Sequence, residues 1–153
     1  MCSSTFMQPA LGTRIEVECK PMKTIRSDER TSRKGSAEWF TGDVWVDEIV
    51  VGAAPQQIRA YRVSFSPGAR TAWHSHPVGQ TLHVLSGIGR VQLAGKPVED
   101  IHPGDTVMIA PGERHWHGAA PNNTMVHLAM QEADAQGVEV QWMELVTDRE
   151  YAG

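Results

Sequence analysis

From Trp39 onward, short runs rich in valine, isoleucine, threonine and aromatic residues alternate with clusters of proline, glycine, aspartate and asparagine. Examples of these turn-forming clusters are Ser66-Pro67-Gly68, Ala94-Gly95-Lys96-Pro97 and His102-Pro103-Gly104-Asp105. Short β-prone runs bounded by such turns are typical of all-β barrels and sandwiches. The spacing predicts strands near 58–65, 70–76, 80–86, 89–94, 98–101, 105–110, 115–118, 124–131 and 138–146. A helical turn is predicted only near 147–151.

The chain length of 153 residues supports one hydrophobic core but not two comfortable ones. Residues 1–38 are polar and weakly periodic, and they predict a partly mobile N-terminal arm rather than a second domain. Residues 39–146 are then expected to form a single barrel, and residues 147–153 a C-terminal tail. Because Met22 opens a segment that would serve as a natural start, residues 1–21 are expected to contribute little to the fold.

Composition excludes several classes of function. A formal net charge of −4 gives no electrostatic reason to expect nucleic acid or an anionic membrane as a partner. No apolar run approaches the roughly 20 residues of a membrane span, and the N-terminus lacks the features of a signal peptide. The two cysteines, Cys2 and Cys19, are no disulfide framework and favour a reducing compartment. We therefore expect a cytoplasmic protein that acts on a small molecule.

Histidines follow the two-residue period of β-strands at three places, and side chains two apart on a strand share a face. The sets that share a face are His74 with His76, His115 with His117, and His127 with Ala129 and Gln131. A lone histidine on a strand is more often a hydrogen-bonded or solvated residue than a ligand. Two His-x-His pairs about forty residues apart favour a metal site, because imidazole nitrogens bind Zn, Fe, Ni and Mn.

The segment from Gly68 to Gly87 resembles the first cupin motif. That motif is glycine, five residues, His-x-His, a glutamate four residues later and a glycine seven further on, and here Gln80 replaces the glutamate. The glycine and histidine spacing over 104–115 resembles the second motif, with Pro111 one place later than usual. The resemblance extends over roughly 39–146. It implies an all-β, single-domain cupin fold, a double-stranded β-helix or jelly-roll barrel.

Among cupins, the chain resembles the small bacterial members with hydroxynitrile lyase activity. The runs that carry this resemblance are 39–42, 67–74, 79–82, 102–105, 111–113, 115–119, 127–129 and 142–144. It implies a manganese ion bound by three histidines and a glutamine, which fall here on His74, His76, His115 and Gln80. Iron, nickel and zinc suit the same donors, so the identity of the divalent metal stays open.

The same resemblance implies reversible cleavage of a cyanohydrin to an aldehyde or ketone and hydrogen cyanide. Because all four ligands would be neutral, the ion would keep its full double charge and acidify a bound hydroxyl strongly. His117 is the candidate base, since it shares a face with His115 and an ordinary histidine pKa suits proton exchange near neutrality. His127 is expected to orient the cyanide, and Gln131 to donate a hydrogen bond to it.

Tyr61, Val63 and Phe65 share one face of their predicted strand and are expected to line the substrate pocket. The related lyases carry a small residue where Tyr61 stands, so a narrower cavity is expected here. Arg70, just before the first ligand strand, is a candidate anchor for an anionic substrate or one half of a surface salt bridge.

Two other classes of function stay open at this point. One is a metal-dependent dioxygenase or related oxidoreductase acting on a small organic substrate, and the other is a non-enzymatic cupin that binds a small molecule. The resemblance to small cupins also implies a homodimer formed by exchange of strands around 39–51, with a homotetramer as the alternative.

Overall fold

The structure, a computed structural model, describes residues 22–153, so the expectation for residues 1–21 lies outside the described residues. Its strands are β1 (Arg33–Lys34), β2 (Phe40–Thr41), β3 (Val44–Val51), β4 (Ile58–Phe65), β5 (Arg70–Thr71), β6 (His74–Ser75), β7 (Gln80–Gly87), β8 (Gly89–Leu93), β9 (Glu99–Ile101), β10 (Thr106–Ile109), β11 (His115–Ala119), β12 (Met125–Glu132) and β13 (Gln141–Trp142). A 3₁₀ turn (Ser27–Glu29) precedes them, and helix α1 (Asp148–Ala152) follows them.

The strands form two antiparallel sheets. The first has the order β1-β3-β4-β12-β7-β10, and the second has the order β13-β6-β11-β5-β2, with β8 paired to β11 and β9 paired to β8. The main core includes Phe65, Leu82, Val84 and Met125, which are at most 2% exposed. The prediction of an all-β jelly-roll barrel is confirmed.

Two strands show how the two-residue period places polar side chains inside this barrel. In β12, His127, Ala129 and Gln131 are buried, whereas the residues between them are partly exposed. In β7, Gln80 points inward like Leu82. The alternation that builds the core therefore also directs imidazole and amide groups into it.

Strand predictions from turn spacing are accurate for most of the barrel and fail at its ends. The run predicted over 70–76 is interrupted between β5 and β6, and the run over 138–146 is reduced to β13. Strand β1 lies inside the predicted arm and pairs with β3, so part of the arm belongs to the first sheet. Strand β3 pairs with β4 of its own chain, and exchange of strands between subunits stays a prediction. Among the described residues, no helix has the length and apolar character of a membrane span.

The C-terminal tail packs on the barrel through a second apolar cluster, formed by Trp73, Trp116, Val146 and Tyr151. Arg70 is only 5% exposed, and its guanidinium donates to the Val146 carbonyl oxygen at 3.0 and 3.2 Å. It also lies 4.7 Å from the centre of the Tyr151 ring. The hypothesis that Arg70 anchors an anionic substrate is therefore wrong, because the side chain is committed to holding the tail.

The ion pair between Arg70 and Asp148 is asymmetric, which permits a matched pair of variants. The Arg70 side chain is 6% exposed and that of Asp148 is 97% exposed. We expect Arg70→Ala to lower the free energy of unfolding by about 2–3 kcal/mol, because buried hydrogen bonds from a charged donor are lost. Asp148→Ala should cost about 0.5 kcal/mol or less, as for other surface pairs. Urea unfolding of both variants measures this, and equal losses would contradict the assigned anchor role.

Candidate metal centre

The three histidines predicted as ligands meet inside the barrel. His74 lies in β6 and pairs in register with His115 of β11, while His76 follows β6 directly. The ring centres are 4.2 Å apart for His74 and His115, 5.2 Å for His74 and His76, and 5.7 Å for His76 and His115. All three rings are at most 2% exposed. The structure thus brings together side chains separated by up to 41 positions in the sequence (115 − 74).

Each of these imidazoles is oriented by a main-chain carbonyl oxygen that accepts a hydrogen bond from its Nδ1. For His74, His76 and His115 the acceptors belong to Ala72 (2.9 Å), Glu139 (2.6 Å) and Glu113 (2.9 Å), respectively. Because a carbonyl oxygen can only accept, each Nδ1 carries the proton and each Nε2 keeps its lone pair. Such outer hydrogen bonds are the usual support of metal-binding histidines.

Gln80 completes the set of donors. Its Nε2 donates to Oε1 of Gln131 at 3.2 Å, which turns Gln80 Oε1 toward Nε2 of His115 at 3.1 Å. Since the proton of His115 is on Nδ1, these two atoms are both acceptors, and a shared cation would stabilise them. The Nε2 of His76 is buried without a hydrogen-bond partner among the described residues. Three imidazole nitrogens and one amide oxygen therefore fit a divalent cation.

Among the described residues, the trio of histidines whose nitrogens have the spacing of a metal site contains His117 in place of His76. Nitrogens of His74, His115 and His117 all lie within 4.8 Å of one another. His117 differs from His76 in its support, because its Nδ1 faces Nε2 of His127 at 3.1 Å rather than a carbonyl oxygen. The carbonyl-fixed tautomer favours His76 as the third imidazole ligand, with His117 beside the centre.

The histidines open onto a cavity of about 280 Å³ whose wall is largely apolar. It is lined by Phe40, Val46, Tyr61, Val63, Thr71, His74, His76, Gln80, His117, Ala129, Gln131, Glu139, Val140 and Trp142. Two of the three predicted pocket residues, Tyr61 and Val63, thus lie on its wall. Phe65 lies deeper, with its ring centre 5.4 Å from that of His127 and 5.9 Å from that of His117.

The three residues predicted to handle the proton and the cyanide differ in their access to the cavity. His117 and Gln131 line it. His127 is fully buried behind His117, with ring centres 4.8 Å apart. The geometry therefore does not favour the expected direct contact between His127 and cyanide. His127 contacts the His117 imidazole instead.

Burial shifts every histidine of the site toward its neutral form. It lowers the pKa of His117 well below the ordinary value, and the neighbouring His127 lowers it further. It also lowers the pKa of His115 and of His127 to about 4. The ordinary pKa expected for His117 from the sequence is therefore wrong, because burial in the barrel disfavours the charged imidazolium. Neutral imidazoles are also the form that binds metal ions.

These pKa values predict a pH-dependent stability for the metal-free protein. Because the pKa of His115 and His127 is about 4 in the folded chain and near 6.5 when unfolded, the unfolded chain binds more protons between these values. The contribution of these two histidines to the free energy of unfolding is complete above pH 6.5. It is lost as the pH falls toward 4, by about 1 kcal/mol per pH unit for each histidine. Urea unfolding of chelator-treated protein at several pH values measures the slope. His127→Asn should make it shallower, and an equal slope would contradict the assignment.

Sequence reasoning missed three residues that shape the site. Glu139, in the loop after β12, accepts from His76 through its main chain and from the Tyr61 hydroxyl through its carboxylate, at 3.1 Å to each oxygen. Burial raises the pKa of Tyr61 to about 12, and the negative charge of Glu139 is the second largest cause. Tyr61 therefore stays a protonated phenol. The Trp142 ring lies 4.8 Å from that of His74, and the Thr71 hydroxyl accepts from the His117 main-chain N–H. Thr71 and Trp142 each belong to a run that resembles the lyases, whereas Glu139 carried no such signal.

Comparison with known proteins identifies the family of the chain. The family model described as "Cupin domain" matches residues 61–130. The (R)-mandelonitrile lyase of Granulicella tundricola is 52% identical over 130 residues, which cover 85% of this chain and 98% of that protein.

Solved structures extend the likeness to the whole barrel. A cupin-like protein from Thermotoga maritima is 44% identical, covers 77% of this chain and 89% of its own, and superposes with a TM-score of 0.73. A polyketide cyclase from Streptomyces resistomycificus, 20% identical over 85% of this chain and 91% of its own, shares the fold with a TM-score of 0.63. The chain therefore belongs to the cupin family.

Proposed function

We propose that the protein is a metal-dependent lyase that cleaves and forms cyanohydrins. The observation that carries the proposal is the pair of facing acceptors, Nε2 of His115 and Oε1 of Gln80, 3.1 Å apart beside the free Nε2 of His76. The (R)-mandelonitrile lyase that is 52% identical supports the reaction class. A divalent ion, with manganese as our first choice, would be held by His74, His76, Gln80 and His115.

The bound ion would supply Lewis acidity, since four neutral ligands leave its charge undiminished, and so make a substrate hydroxyl more acidic. The protein contributes the orientation of the donors. Carbonyl oxygens fix the three imidazoles and Gln131 fixes the Gln80 amide. A substrate that fills the cavity would displace water from its largely apolar wall, which strengthens each polar contact within it.

His117 is the base in this proposal. Its Nε2 is buried and unpartnered among the described residues, and its ring lines the cavity. A proton on Nδ1, donated to Nε2 of His127, leaves the lone pair of His117 on Nε2, where it can accept the substrate hydroxyl proton. The depressed pKa keeps His117 neutral and ready to accept at neutral pH. His127 then acts as a positioning residue that selects the tautomer.

In this proposal Gln131 assists the departing cyanide. Its Oε1 accepts from Gln80, so its amide NH₂ is the group left to donate toward a molecule in the cavity. Loss of the hydroxyl proton and breakage of the carbon–carbon bond release cyanide, which the amide stabilises by a hydrogen bond. The proton held by His117 returns to the cyanide, so the products are a carbonyl compound and hydrogen cyanide.

A cyanide-release assay tests the proposal. Purified protein is treated with chelator and reloaded separately with manganese, iron or zinc, and hydrogen cyanide is measured from acetone cyanohydrin and mandelonitrile. We expect the chelator to lower the rate at least about tenfold and one of the metals to restore it, because the ion acidifies the hydroxyl. Release that is unaffected by chelator would contradict metal dependence. Oxygen uptake without cyanide release would favour the oxidoreductase alternative.

A further inference from the structure

A second polar group lines the same cavity as the histidines. It consists of the Tyr61 hydroxyl and the Glu139 carboxylate, whose two oxygens each lie 3.1 Å from the phenol oxygen. Both residues share the cavity with His76 and Gln80, and the side chains around them include Val46 and Val140. The cavity therefore has polar groups at two places on an otherwise largely apolar wall, and Tyr61 and Glu139 are partly buried there.

This pair can accept further hydrogen bonds but has no proton left to donate. Tyr61 has one proton to donate and directs it at Glu139, after which the carboxylate still has unused lone pairs and the phenol oxygen keeps its own. The pair therefore offers acceptors only. A ligand that covers this partly buried pair removes its remaining water, so a ligand that supplies a donor is favoured over one that supplies a methyl group, since a polar group without its partner is costly to bury.

The pair is also tied to the metal centre. The main-chain oxygen of Glu139 holds Nδ1 of His76 at 2.6 Å, so one residue positions both a ligand and the acceptor pair. The cavity volume of about 280 Å³ lies at the lower end of the roughly 300–1,000 Å³ of ligand pockets. A small molecule would therefore contact both polar groups at once.

We propose, on the basis of the lyase function above, that Tyr61 and Glu139 form a specificity subsite for small substrates with a second hydroxyl group. One oxygen of the substrate faces the histidines, and the second hydroxyl donates to the carboxylate or to the phenol oxygen. Cyanohydrins of small hydroxyaldehydes and hydroxyketones are thus preferred over those with purely apolar chains of the same size.

Binding to the metal-loaded protein tests the subsite without turnover. The probes are hydroxyacetone and butanone, which differ by a hydroxyl in place of a methyl group, and ligand-observed NMR gives their dissociation constants. We expect hydroxyacetone to bind about tenfold more tightly, as for a hydrogen bond to a charged acceptor. Tyr61→Phe and Glu139→Gln should each reduce this ratio at least about threefold. Glu99→Gln, a change at an exposed carboxylate on β9, should leave it unchanged.

Equal affinities in the wild type, no binding of either probe, or a ratio unchanged in both variants would overturn the subsite. Metal content and thermal unfolding confirm that the variants are intact, since Glu139→Gln retains the carbonyl oxygen that holds His76. Cyanide release from 2,3-dihydroxypropanenitrile and lactonitrile separates the two proposals. Preference for hydroxyacetone without any cyanide release would refute the lyase function alone, and release from both nitriles without preference in binding would refute the subsite alone.

Discussion

His117→Ala is expected to lower the rate of cyanide release by about 10²- to 10⁴-fold, the contribution typical of a general base. Its metal content should stay close to that of the wild type, because His74, His76, Gln80 and His115 keep their supporting hydrogen bonds. The rate of cyanide release and the metal content are both measured on the same preparation. The metal content is measured by elemental mass spectrometry.

The outcome also decides between the two trios of histidines. If His117 were a ligand in place of His76, as the 4.8 Å cluster allows, His117→Ala would lose both metal and activity. His127→Ala is the matched control for positioning. It should lower the rate less than His117→Ala and leave the metal in place, since His127 contacts the site through the His117 imidazole.

The second large effect is expected from His76→Ala. Removing this imidazole deletes one of four donors, so the metal affinity should fall by more than the roughly 10- to 100-fold typical of losing an outer hydrogen-bond partner. Cyanide release should fall by about 10³-fold or more at limiting metal, because substrate activation depends on the bound ion. Titration of the metal-free variant with manganese measures the affinity.

A control residue outside the site guards against a general loss of structure. His83 lies on the outward face of β7 and contacts the Thr106 hydroxyl at 2.9 Å. His83→Ala should therefore retain wild-type metal affinity and activity. A similar loss in His83→Ala and His76→Ala would contradict a specific ligand role for His76.

Much of this site could be predicted from the sequence, because a strand's two-residue period determines which side chains share a face. That rule alone placed His74 with His76, and His127 with Gln131, on shared faces, and the structure shows all four side chains buried. The motif spacing added Gln80, whose inward position the structure bears out at the start of β7.

What could not be predicted depends on contacts between distant parts of the chain. Glu139 meets Tyr61 across 78 positions, and Arg70 meets Val146 across 76, and neither pair has a periodic pattern that would reveal it. The low pKa of His117 has the same origin, since it results from complete burial among several strands rather than from its own neighbours in sequence. The two-residue period predicts which face of a strand a side chain occupies, but it does not predict which residues from other parts of the chain contact that side chain.

The identity of the ligands is tested most directly by X-ray diffraction from manganese-loaded crystals at the metal absorption edge. We expect one anomalous peak, with Nε2 of His74, His76 and His115 and Oε1 of Gln80 as its nearest protein atoms. A peak bound by His117 in place of His76, or no peak within the barrel, would contradict the account.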